Sequence, residues 1–175
     1  MATVEGQQVQ RRFDAGWWFK QGVIGGLIAG IVFAVFEMVV AALLNGVNAF
    51  FMPLRMIGGI VLGSQALQPA YPLVSAAVTG IVVHMILSMV FGVIFAVIVA
   101  YIPQLASTPA WLLVSASVFG LLLWLVNFYL IAPAAGWVWF PTNANPVVQF
   151  FAHTFFYGTV LGLYLNQVED RQPEG

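Results

Sequence analysis

Four apolar stretches, at roughly 22–44, 73–101, 110–132 and 147–166, dominate this chain. Each is long enough to carry an α-helix across about 30 Å of hydrocarbon, which takes about 20 residues. Charged residues make up 6% of the sequence and apolar ones 62%, too little charge to solvate the outside of a soluble globule of 175 residues. Lipid must be the solvent for most of the surface. Backbone groups in lipid have to pair among themselves, and helices achieve this within one segment. The expected fold is therefore an all-α membrane protein, a single domain over 1–175 built as a four-transmembrane-helix bundle.

The same composition removes several function classes. A net charge of −1 with five scattered basic residues offers no electrostatic footprint for nucleic acid. The absence of cysteine excludes disulfides, thiolate metal sites, iron–sulfur clusters and haem attached through Cys-x-x-Cys-His. No phosphate-binding Gly-x-x-x-x-Gly-Lys loop, zinc-protease pair or nucleophile elbow is present. These absences favour a binding or accessory protein over an enzyme.

Basic residues near the spans set the expected orientation, because Lys and Arg are retained on the cytoplasmic side. Arg11, Arg12 and Lys20 precede the first span and Arg171 follows the last, whereas Arg55 alone falls on the opposite side. Both termini are thus expected in the cytoplasm. The first apolar stretch is too long for a signal-peptide core and reads as a retained helix. Between the first two spans, residues 53–67 are apolar but only about half the length of a span, so a short interfacial helix is expected. Pro53 suits its first turn, and Arg55 would reach headgroups or a polar ligand. Trp137, Trp139 and Phe140, between the last two spans, fit an interfacial aromatic anchor, as do Trp17 and Trp18 at the opposite boundary.

Small residues recur every fourth position in the second span: Ala76, Gly80, Ser88, Gly92 and Ala96, with His84 as the one large member. Gly22, Gly26, Gly30 and Ala34 repeat the pattern in the first span, and Gly158 and Gly162 in the last. Such stripes let helix backbones approach closely, a main source of association in lipid. They predict a compact bundle that also offers faces for a homo-oligomer or a larger membrane complex. Gly80 and Ser88, flanking His84, would leave room for a flat ligand.

Glu37, His84 and His153 are the titratable side chains deep in the spans, and such groups usually turn inward and find partners. Three readings follow. The histidines bond to neighbouring helices and fix packing. Alternatively, they ligate the iron of one haem b between the second and last spans, with Arg55 beside the propionates and Gly80 and Ser88 forming the slot. As a third reading, Glu37 bonds a histidine and joins both imidazoles in a proton relay, a proton or small-solute pathway, or a two-His-one-carboxylate metal site. Asn127 and Trp124 in the third span, and Gln149 and Tyr157 in the last, are secondary polar partners. Each half of the chain reads as a span, a connection and a histidine-bearing span, an arrangement that would place His84 beside His153 if the halves are duplicates.

The segments Gly26-Leu-Ile-Ala-Gly-Ile-Val32 and His84-Met-Ile-Leu-Ser-Met-Val-Phe91, with a Pro- and Trp-bearing connection and a last span that opens near His153, resemble the YagU-like family of small bacterial inner-membrane proteins. The likeness covers most of 22–166. It implies a four-span protein of the bacterial plasma membrane, a family name tied to acid tolerance, and no defined biochemical activity. Glu37 and the shorter connection between the first two spans depart from the family pattern, so no role for Glu37 carries over.

Overall fold

The computed structural model describes residues 15–169, and Arg11, Arg12 and Arg171, which carry most of the orientation argument, lie outside them. The long helices are α1 (Ala15–Asn45), α3 (Leu73–Tyr101), α4 (Pro109–Ala134) and α6 (Pro146–Val168). Between them lie the short helices α2 (Met52–Leu62) and α5 (Trp139–Asn143). All four long helices are long and apolar enough to cross a membrane, and the described residues form no strand. The fold is an all-α four-helix membrane bundle, with α2 between its first two spans.

Local sequence explains several helix ends. Thr108 Oγ1 accepts from Trp111 N–H at 3.1 Å, and Pro109 follows in the first turn of α4, where its missing N–H costs nothing. Asn145 Oδ1 accepts from the amides of Val147 and Val148 at 2.9 and 3.3 Å ahead of α6. α4 stops at Gly136, whose φ of 79° only glycine adopts without strain. There Trp137 N–H donates to Ala132 O and Gly136 N–H to Pro133 O, closing the last turn.

The glycine stripes are the main contacts between helices. A Cβ added at Gly22 would strike the backbone of Val93, one at Gly26 the carbonyl of Ser88, and one at Gly92 the backbone of Gly22 and Gly26. α1 and α3 therefore run antiparallel in backbone contact. α4 and α6 pair in the same way, with Gly158 against the Ala116 carbonyl and Gly120 against the His153 carbonyl. The upper part of the α3 stripe serves a different neighbour: Gly80 meets the Leu54 carbonyl, and Gly58 of α2 meets that of Ala76. All six stripe residues from Ala76 to Ala96 are buried, so their expected inward face is correct.

Two cores result. Near the ends of the described chain, Trp18, Phe95, Val99, Leu112, Leu161 and Leu165 pack together. At the opposite end, Met56, Phe128, Ala132, Trp139 and Phe140 form a second cluster. α1 is already helical at Ala15, ahead of the apolar stretch at about 22–44, and Trp18 packs into the first core. One sequence-based expectation needs correction here. Trp139 and Phe140 are buried rather than facing an interface, since Trp139 Nε1–H donates to Met56 O at 3.0 Å and ties this connection to α2.

Candidate functional site

His84 lies where the α3 stripe changes partner, between Gly80, which is covered by α2, and Ser88, which packs against Gly30 of α1. No small side chain closes the gap between these neighbours. A cavity of about 390 Å³ opens there among α1, α2, α3, α4 and α6, within the range of small-molecule sites. Most of its wall is apolar, but Glu37, His84, Asn127, Gln149, His153 and Tyr157 converge on it.

Wide turns help to aim three of these groups. α4 loosens to π-helical spacing across Asn127–Ile131 and α6 across Ala152–Thr159, and such insertions are frequent at functional sites. Asn127, Phe128 and Ile131 from the first, and His153 and Tyr157 from the second, reach the cavity. Trp124 Nε1, just before the first wide turn, and Thr154 Oγ1, within the second, are buried without a hydrogen-bond partner among the described residues. Unpaired buried groups of this kind cost free energy and recur beside sites that hold water or ligand.

The hydrogen bonds fix which atoms remain available. Glu37 is 7% exposed, and both of its carboxyl oxygens accept from Gln149 Nε2, at 2.9 and 3.1 Å. His84, 8% exposed, bonds through Nε2 to Gly30 O at 2.9 Å, and His153 bonds through Nδ1 to Gln149 O at 3.1 Å. A carbonyl oxygen only accepts, so each of those ring nitrogens carries the proton. As neutral rings, His84 presents the lone pair of Nδ1 and His153 that of Nε2. Neither nitrogen, nor the Asn127 amide, has a protein partner among the described residues.

The two imidazoles come together through Phe33, whose ring lies 5.2 Å from that of His84 and 4.8 Å, edge-on, from that of His153. Sequence reasoning named both histidines but missed Phe33, although it lies one turn before Glu37 and hence on the same face of α1. Tyr157, named as a secondary partner, donates to Ser88 O at 2.6 Å and closes one side of the cavity against α3.

Several expected roles change. Gln149, not a histidine, is the partner of Glu37, because the one N–H of neutral His153 is used within its own helix. Among the described residues no three metal-ligating side chains converge, so the two-His-one-carboxylate site is not formed. Gly80 is covered by Leu54 and offers no slot for a flat ligand, while Ser88 does line the cavity. Arg55 is held by its own chain: Nη1 donates to Ala66 O and Gln68 O, at 2.8 and 3.0 Å, and Nη2 to Tyr71 O at 3.1 Å. It staples the connection between α2 and α3. Haem b also fits poorly, since Phe33 lies against both rings where a porphyrin between two axial nitrogens needs open space.

No protein-family model, curated protein or solved structure matches this chain.

Proposed function

We propose that this protein binds a small, largely apolar molecule within the membrane, acting without covalent catalysis as a binding or accessory component. One observation carries the reading: the cavity places polar atoms of His84, His153 and Asn127 that have no partner among the described residues in a mostly apolar wall. An empty packing defect needs no such atoms, and a bound molecule with matching polar groups would give them partners. The proposed setting is the bacterial plasma membrane with both termini cytoplasmic, as a relative of the YagU-like proteins, alone in the bilayer or joined with copies of itself or a larger assembly.

Photolabelling the full chain in lipid nanodiscs with a neutral aryl diazirine tests the binding. Adducts are expected on the cavity residues Glu37 and Tyr157, and Ala132→Trp, which fills the cavity from α4, should suppress them. Adducts confined to the lipid-facing side chains, unchanged by Ala132→Trp, would remove the reading.

A further inference from the structure

Building on that binding, we infer that the molecule held in the cavity is a protonated lipophilic amine, with Glu37 as its counter-charge. Two independent features of the wall select this class.

The first is the sense of the free hydrogen-bonding atoms. With His84 Nε2–H and His153 Nδ1–H both given to backbone carbonyls, the remaining nitrogen of each ring can only accept. Glu37 accepts from a single amide nitrogen, which leaves most of the lone-pair capacity of a carboxylate unmet. Tyr157 gives its O–H to Ser88 O and is no donor to a ligand. Asn127, Ser88 and Trp137, which line the cavity, carry donors. The acceptors of Glu37, His84 and His153 call for a donating ligand, and an ammonium group is the most concentrated source of donors in a small apolar molecule.

The second feature is charge. Among the described residues no Lys or Arg lines the cavity: Arg55 is engaged by the connection before α3, and Lys20 lies near the start of α1. Glu37 is therefore an acid in the apolar interior with no Lys or Arg opposite it among the described residues. Six aromatic rings surround the space, those of Phe33, Phe91, Phe128, Trp137, Phe140 and Tyr157. Aromatic faces attract a cation and repel an anion, and the attraction grows on desolvation. A carboxylate alone would be a costly group here, and so would an ammonium alone. Together, with two imidazole acceptors and aromatic walls, they satisfy each other. A carboxylate or phosphate ligand would meet acceptors and ring faces on nearly every side.

The test compares two ligands of one skeleton, 4-phenylbutylamine and 4-phenylbutanol, as competitors of the aryl diazirine on the full chain in nanodiscs, at matched membrane concentrations. Labelling is read at Tyr157. The amine is expected to displace the label at a concentration about tenfold lower than the alcohol, the gain of one charge-assisted bond over a neutral one. Glu37→Gln, which keeps an acceptor for Gln149, should erase that advantage and bring the two ligands to within about twofold of each other. Equal potency of the two ligands on the wild-type chain would overturn the inference without touching the binding itself. So would an advantage that survives Glu37→Gln. Absence of any cavity labelling in the wild type would overturn both readings.

Discussion

Toward the ends of the described chain, α1 and α3 meet backbone to backbone through Gly22, Gly26 and Gly92. Toward the two long connections the same helices are spaced by Phe33, Glu37 and His84, and a cavity opens between them. α4 and α6 repeat the contrast. Gly158 rests on the Ala116 carbonyl in the closed half, while wide turns carry Asn127 and His153 into the open half. In lipid, apolar contact alone gains little, so close approach of backbones supplies much of the association. The closed half can then hold the bundle while the open half keeps polar groups that weaken packing.

The contrast is broken most readily by adding volume on each side. Gly26→Leu forces a side chain into the Ser88 carbonyl and should cost about 3 kcal/mol or more, read as loss of folded protein in detergent unfolding curves. Val83→Phe projects into the cavity, where there is space, and should cost less than about 1 kcal/mol. Equal losses at the two positions would mean that the halves are packed alike and that the cavity is not open.

Next in size is the polar pair. Gln149→Leu removes the side chain that bonds Glu37 and should destabilise by about 1–3 kcal/mol, because it takes away the partner of a buried carboxyl. Replacing both residues by leucine should recover most of that loss, as an apolar pair needs no partner. A double-mutant cycle in the same unfolding assay gives the coupling. Additive losses would show that Glu37 and Gln149 do not act as a pair.

Residue types alone disclosed the spans, the buried stripe of α3 and the convergence of Glu37, His84 and His153 on the interior, since hydrophobic length and four-residue spacing are local properties of a helix. Pairing was not legible. Gln149 reaches Glu37 across 112 positions of sequence, and Arg55 finds carbonyls 11 to 16 residues later, choices that depend on how helices and connections lie together. The inward turn of Trp139 was hidden for the same reason, because its composition equally suits a membrane boundary. The wide turns left no signal, for Asn127 and His153 lie in apolar runs that read as ordinary helix.

Arg55→Lys sharpens the comparison from the edge of the open half. A guanidinium forks to several carbonyls in one plane, whereas an ammonium is a point donor on a flexible stem. The substitution should cost about 1–2 kcal/mol and speed proteolysis between Ser64 and Tyr71, and Arg55→Ala should behave similarly. If lysine fully restores protection, charge alone holds this connection in place.

The smallest expected effects come from two helix caps that differ in what lies beyond them. Thr108→Ala and Asn145→Ala each remove an N-cap and should cost about 1 kcal/mol. Thr108 opens α4 near the closed half, so its loss should lower stability and leave ligand behaviour alone. Asn145 opens α6 one turn before Gln149 and two turns before His153, the residues that hold Glu37 and present an imidazole to the cavity. Fraying of that first turn shifts both groups, so Asn145→Ala should also weaken cavity labelling by about twofold to fivefold, a change worth less than 1 kcal/mol. Matched effects of the two caps on labelling would show that the cavity responds to global stability rather than to the start of α6.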